Sequence, residues 1–254
     1  MAELSQNKLK YLTSLHQKKQ REAEGVFIAE GIKVMNDLVK FGCIPQLIAY
    51  NPAVWNLKDL GQSHAFCEYY TLSPAQANKI SLLSTPPGII AVFPKPRYEL
   101  EVPSLNESFV FLLDNINDPG NLGTIIRTAH WFGISNIYVT TGSVEIFAPK
   151  VVQSSMGSLA AVKVHLVDSE LFISTLRTQE IPIYLAETGG EDIQHTQITQ
   201  PACFVFGNES NGISNTWKQA ATRQFTIHPA SEANRPESLN LSVSAAIFME
   251  LLTR

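Results

Sequence analysis

The chain has 254 residues, 44% of them hydrophobic, enough for one large core or two modest ones. Its 19 Lys and Arg against 23 Asp and Glu leave a formal charge of −4, and its three cysteines, Cys43, Cys67 and Cys203, form no CxxC pair. A zinc site and a disulfide framework are therefore disfavoured. No stretch reaches the roughly 18 apolar residues needed to span a bilayer, and the opening MAELSQNKLKYLTSL lacks the apolar core of a signal peptide; the expectation is a cytoplasmic protein with no membrane partner and no metal.

Charge is unevenly divided. Residues 1–100 carry 11 Lys and Arg against 8 Asp and Glu, whereas residues 101–254 carry 8 against 15. LKYLTSL reads as a helix, and the opening region groups Lys8, Lys10, Lys18, Lys19 and Arg21. Such a cluster can meet phosphates through a salt-sensitive contact, or simply solvate a helix face. A second helix is expected from Glu30 to Phe41, then QLIAY and GIIAVF as strands, so residues 1–95 read as a small α/β domain. The prolines and charges of PKPRYELEVP deny the backbone helical hydrogen bonds and mark a linker, placed at residues 96–106.

The remainder, residues 107–254, opens with FVFLLD, an apolar run of the kind buried on both faces of a parallel sheet. A helix follows to about Phe132, with Asp118 as its cap and Pro119 in its first turn, where a missing N–H costs nothing. NIYVT, VKVHL, IPIYLAE, CFVFG and QFTIH are further strands, interspersed with the helical SELFISTLRT and LSVSAAIFMELLTR. This alternation means an open α/β sheet. Ligands gather beyond the carboxyl ends of such strands, which directs attention to the loops after Asp114, Glu187, Phe206 and His228.

Three segments at those strand ends stand out. DNINDPGNLGTIIRTAHWFGI places Asn115, Asn117 and Asn121 with Gly120 and Gly123 in a polar strand-to-helix turn, and Arg127 in the apolar helix beyond. It is neither GxGxxG nor a Walker loop, and Arg127 taken alone can equally be a structural ion-pair residue. FVFGNESNGIS offers Glu209 and two amides between Gly207 and Gly212, or an ordinary turn capped by Ser214. In IHPASEANRPESLNLSVSAAIFMELL, Ser238 and Asn240 precede a helix rich in small residues, and Ser238 can be a plain helix cap.

Together and in this order, the three segments resemble the motifs of the SpoU (TrmH) branch of the SPOUT methyltransferases: N-x-x-D/N-P-x-N-x-G followed by a helical arginine, F/L-G-x-E-x-x-G-x-S, and a proline-containing strand end leading to S-L-N-V/L-S. APKVVQSSMGS is similar to the family's segment between the first two motifs, although Gln153 stands where many relatives carry a basic residue. The spacing from Pro229 to Ser238 is longer than in compact members. The resemblance covers residues 109–254, and the N-terminal LHQKKQR and FIAEG are similar to the RNA-recognising extension of many members.

The resemblance implies a C-terminal, mostly parallel SPOUT domain tied in a deep trefoil knot, an exception to the general rule that chains avoid knots, behind a small N-terminal α/β substrate-binding domain. It implies a homodimer that methylates a ribose 2′-hydroxyl of rRNA or tRNA, rRNA being favoured, from S-adenosylmethionine. It also implies catalytic roles for Arg127, Asn115, Glu209, Ser238 and Asn240, and a cofactor cradle made of Glu187, Thr188, Phe206, Gly207, Asn208, Ile227, Pro229, Ser238, Leu239 and Asn240. Lys8, Lys18, Lys19 and Arg21 are the expected RNA contacts. Two other classes compete. A knotted RNA-binding module without catalysis is opposed by the retained polar residues of the motifs. A small-molecule α/β enzyme is opposed by the lack of a phosphate-binding glycine loop and by scattered histidines such as His130 and His228.

Overall fold

The computed structural model describes residues 2–56, 66–96, 98, 105, 108–231 and 236–254, so most of the expected linker at 96–106 lies outside the described residues. The chain divides into two compact units, residues 1–97 with 145–161, and residues 98–144 with 162–254. No described helix is long and apolar enough to cross a membrane.

In the first unit the elements are β1 (Ala2–Glu3), α1 (Gln6–Ser14), α2 (Lys18–Glu24), β2 (Val26–Glu30), α3 (Ile32–Lys40), β3 (Leu47–Tyr50), β4 (Glu68–Thr71), α4 (Pro74–Ile80) and β5 (Ile89–Pro94). The strands form one sheet in the order β1-β4-β3-β5-β2, parallel from β1 to β3 and antiparallel across β5. Successive strand side chains point to opposite faces. Val26 and Ile28 therefore join Leu9 and Leu12 of α1 and Ala77 and Ile80 of α4 in one core. Between them, Phe27 stacks on Phe93 at 5.4 Å and on Phe147 at 5.2 Å. Phe147 belongs to Glu145–Ala161, a stretch remote in sequence whose helix Pro149–Ser155 packs on β2. Gly157 closes that stretch at φ +84°, where a Cβ would lie 2.4 Å from the Cβ of Asp37.

The helix expected from Glu30 begins instead at Ile32. Glu30 ends β2, pairing with Ile90, and its buried carboxylate accepts hydrogen bonds from the Ser81 hydroxyl and the Leu82 amide. Gly31, at φ +98°, makes the break between strand and helix, a conformation that costs glycine little. Helix α4 carries a capping box, Ser73 and Gln76 each accepting a backbone N–H of the other, with Pro74 in its first turn.

The second unit runs β6 (Phe109–Leu113), α5 (Pro119–Trp131) and β7 (Asn136–Thr140). Counting Pro149–Ser155 as α6, it continues with β8 (Lys163–Val167), α7 (Ser169–Thr178), β9 (Ile183–Asp192), β10 (Ala202–Phe206), α8 (Asn215–Ala220), β11 (Arg223–Thr226) and α9 (Leu241–Thr253). All its strand pairs are parallel, in the order β11-β9-β10-β6-β7-β8, as the apolar runs predict. Both faces are covered, which is why β6 and β10 are buried at every position. On one face Phe172 and Leu176 of α7 and Trp217 of α8 pack with Val110, Leu112, Tyr138 and Val205. Phe248 of α9 meets Phe204 and Phe206 edge-on at 5.7 and 5.3 Å, and α9 lies against α5. After edge strand β11 the chain has therefore crossed β9 to reach β10 and α5. The strand order reverses between β6 and β10, the topological switch point at which open α/β sheets bind ligands.

Candidate active site

The first wall of the site grows from the end of β6. Asp114 is buried, and its carboxylate accepts from the Ser214 amide at 2.8 Å and from the Thr140 hydroxyl and the Asn115 side-chain amide at 3.3 Å each. Asn115 takes the left-handed φ of 54°, one of the few side chains that tolerates it, and its own N–H donates to the Thr140 hydroxyl at 2.9 Å. Asp118 caps α5 by accepting from the Asn121 amide at 2.8 Å, with Pro119 in the first turn, as the sequence predicts.

The second wall is the loop after β10. Asn208 donates its side-chain N–H to the Asn115 carbonyl at 2.7 Å and accepts from the Ser210 and Asn211 amides at 2.8 and 3.2 Å, while its backbone pairs with Gly212. The loop folds so tightly that a Cβ on Gly207 would meet the Gly212 carbonyl carbon and the Ile213 nitrogen at 2.4 Å. Between the walls lies a cleft of about 580 Å³ lined by Asn117, Asp118, Asn121, Asn208, Glu209, Ser210 and Asn240. Three separated segments are joined across it. The Asn121 side chain donates to Glu209 and accepts from Asn240 at 3.2 Å, and Asn240 caps α9 by accepting from the Ser242 amide and hydroxyl at 2.9 and 2.6 Å.

Of the expected catalytic residues, Glu209 and Asn240 are thus brought together. Asn115 does not line the cleft: its left-handed backbone turns its side chain to Asp114, and Asn121, six residues on, takes the place at the mouth. Ser238 is exposed, and the cap of α9 is Asn240 rather than Ser238. Arg127 lies exposed on α5, outside the cleft lining and with no hydrogen-bond or ion-pair partner among the described residues.

Of the expected cofactor residues, those on the 187–190 stretch and on the loop after β10 approach each other at the carboxyl edge of the sheet. Strand β9 pairs with β11 through Leu185 and then Glu191, so residues 186–190 bulge on the β11 side, while Ala186 still pairs with Phe206 of β10. Gly190 is pressed against the Gln224 and Phe225 backbone, where a Cβ would approach within 2.5 Å, and Gly212 faces the Glu187 carboxylate. Glu187 pairs with Lys218 at 2.7 Å, and the Thr188 carbonyl accepts from Gln224 at 2.7 Å. Phe206 sends its side chain into the core. Ile227 and Pro229 are half-buried and Leu239 is exposed. The donor set is backbone amides and carbonyls with apolar patches and two carboxylates, and the space beside Gly189, at φ +86°, is open. Those groups fit a flat, neutral nucleoside carrying a positive centre. They suit a polyphosphate poorly, since the Lys218 ammonium at this edge is already paired with Glu187 and no Walker-type glycine loop is present. Among the described residues no three His, Cys, Asp or Glu side chains come together.

The expected RNA contacts separate into two environments. Lys18 and Lys19 of α2 are exposed. Lys8 lies beside Tyr11 and Tyr70, and its hydrogen bond to Glu68 at 2.6 Å holds its ammonium above the usual range. Arg21 faces inward: it is 3% exposed, donates to the Leu15 and His16 carbonyls at 2.7 Å each, and forks onto Glu145, so it is no part of a solvent-facing basic surface.

A sequence model described as the SpoU rRNA Methylase family matches residues 108–250. The chain belongs to that family. A second model, the MRM3-like substrate binding domain, matches residues 6–91, upstream of the SpoU part. The SpoU chain is 27% identical over 243 residues to the Bacillus subtilis 23S rRNA (guanosine(2553)-2′-O)-methyltransferase RlmP, covering 95% of this chain and 94% of that one. Among solved structures, a protein assigned to the TrmH family from Porphyromonas gingivalis superposes with a TM-score of 0.86 at 34% identity, covering 99% and 98% of the two chains. An AdoMet-bound rRNA methyltransferase from Sinorhizobium meliloti does so with 0.84 at 25% identity, covering 99% and 96%.

Sequence reasoning noticed Asn121 but not its place in the cleft, and it passed over Asp114, Thr140 and Lys218. For Asp114 a signal existed: an acid directly after five apolar residues of a doubly covered strand sits at the covered strand end, and a buried acid needs donors.

Proposed function

We propose that the chain is an S-adenosylmethionine-dependent methyltransferase acting on a ribose 2′-hydroxyl of RNA, ribosomal RNA being favoured, in the cytoplasm. The observation that carries the reading is the Glu209–Asn121–Asn240 connection, which draws the three family motifs into one cleft at the switch point of the sheet. The named relatives supply the substrate class.

Bound S-adenosylmethionine would supply a methyl group already activated by its sulfonium. The chain's own task is then alignment and removal of the hydroxyl proton. Backbone groups of the loops at 187–190, 206–208 and 227–229, with Ser238, Leu239 and Asn240, would hold the nucleoside, and the carboxylates of Glu187 and Glu209 suit a nearby positive centre. A guanidinium is a poor general base, so the role of Arg127 is to bind a neighbouring phosphate and stabilise the oxygen as it loses its proton. Asn115 acts through its backbone link to Asn208, and Ser238 offers a hydroxyl to orient the ribose.

Because Arg127 faces solvent on α5, away from the cleft lining, the reading requires a second copy of the chain. Trp131 is 84% exposed one turn further along α5, and Val243 is 46% exposed on the adjoining α9; covering them in a homodimer would bring Arg127 to the partner's cleft. The return of α9 from β11 across β9 supports the family's trefoil knot. Residues 1–95 would bind RNA, with Lys8, Lys18 and Lys19 as phosphate contacts. Transfer of tritium from labelled cofactor to rRNA tests the reading: Arg127→Lys retains the charge but loses the planar fork, and transfer is expected to fall on the order of 100-fold or more with cofactor binding unchanged by calorimetry. Turnover at the wild-type rate in that variant removes Arg127 from the mechanism.

A further inference from the structure

The geometry points to Asp114 as a positioning residue that sets the distance between Asn121 and Glu209 by tying the far end of the 208–214 loop to the first motif; only its kinetic consequence rests on the methyltransferase reading. Asp114 is 1% exposed and has no ion-pair partner among the described residues. An acid buried without a cation is unfavourable unless hydrogen bonds replace its water, and an apolar residue at the end of β6 would avoid that cost.

What the acid supplies is three acceptor contacts, one to its neighbour Asn115 and two to remote segments. The Ser214 amide donates at 2.8 Å, the Thr140 hydroxyl at 3.3 Å and the Asn115 side-chain amide at 3.3 Å. Thr140 in turn accepts from the Asn115 backbone N–H at 2.9 Å. The other end of the loop is tied by Asn208, which donates to the Asn115 carbonyl at 2.7 Å. Glu209 thus lies on a loop pinned at positions 208 and 214 to residues 115 and 114. From the same two residues the chain continues into the turn that carries Asn121, the hydrogen-bond donor to Glu209. Asp114 is buried and does not line the cleft; it acts through that loop.

Asp114→Asn is isosteric but offers one acceptor oxygen to three donors, so one tie must open. Amide hydrogen exchange across residues 208–214 is expected to quicken about tenfold in this variant, as for a local opening made easier. Methyl transfer is expected to show a kcat lowered roughly 30- to 100-fold by sub-ångström displacement, with the KM for RNA and the cofactor affinity within about twofold of wild type. Thr140→Val should shift both readouts in the same direction, and Thr140→Ser should restore them. Unchanged exchange overturns the inference, as does quicker exchange with wild-type kcat. A loss of cofactor affinity and kcat in step with a lowered melting temperature likewise overturns it, since a merely structural role would do that. Should the wild-type protein transfer no methyl group to any RNA, the functional reading fails and the exchange measurement still decides the tether.

Discussion

Glu145→Ala removes the acceptor on which two cations converge in the first unit. Arg21 donates to that carboxylate through Nε at 3.1 Å and through Nη2, and Lys95 donates at 3.0 Å; the Glu145 side chain is 11% exposed and that of Arg21 4%. Removing one partner of a buried pair costs about 3–5 kcal/mol because a charge is left stranded. Arg21 keeps the Leu15 and His16 carbonyls, and Lys95 is the more exposed of the two cations, so the expected loss lies near the lower end, about 3 kcal/mol. Glu145→Gln keeps one acceptor oxygen and should lose about 1–2 kcal/mol. Burial alone would push the Glu145 carboxyl up, but the hydrogen bonds and charges of Arg21 and Lys95 outweigh it and hold the group below its ordinary 4.5. A depressed folded pKa contributes stability that is present above the ordinary value and lost as pH falls through the folded one. The gap between wild type and Glu145→Gln should therefore be full at neutral pH and close below 4.5. Urea unfolding, with exchange of the α6 amides as a local probe, reads both effects. A loss under about 1 kcal/mol in the alanine variant, or a glutamine gap that persists into acid, would refute the reasoning.

Gly157→Ala combines a left-handed backbone with a Cβ driven into Asp37, whose Cβ and main chain are not the tip of a flexible side chain. The expected cost is about 2–3 kcal/mol, read by urea unfolding; a loss near zero would mean the 156–158 turn relaxes freely. Asn240→Ala removes both the cap of α9 and the acceptor-donor link to Asn121. It should cost about 1 kcal/mol in stability and lower kcat by more than that alone explains, whereas equal activity would place the cleft network outside the mechanism.

Much of the second unit was legible because its signals are local. FVFLLD and CFVFG read as doubly buried parallel strands, and Asp118–Pro119 announced the start of α5, since both patterns depend only on neighbouring residues. What escaped depends on contacts remote in sequence. Glu145–Ala161 sits inside the span of the family motifs yet packs in the first unit, and nothing in APKVVQSSMGS reveals that Val151 and Val152 are buried there with β2. Arg21 looks like one more cation beside Lys18 and Lys19 until its carboxylate partner, 124 positions away, is seen. Glu30 continues the run FIAE as a strand end because Ser81 and Leu82 supply its donors. In the site, Asn115 and Asn121 are equivalent as letters; the φ of 54° at Asn115 decides which one faces the cleft. The continuation of β9 to Asp192, with its bulge against β11, was hidden because the apolar run ends before Glu187.

The central claim is the transfer of a methyl group to a ribose oxygen. It is tested most directly by incubating the purified chain with S-adenosylmethionine and unmethylated bacterial 23S rRNA, digesting the RNA to nucleosides and locating the new methyl by mass spectrometry. The account predicts a 2′-O-methylated nucleoside at a discrete site; a methyl carried on a base, or none gained by rRNA or tRNA, would contradict it.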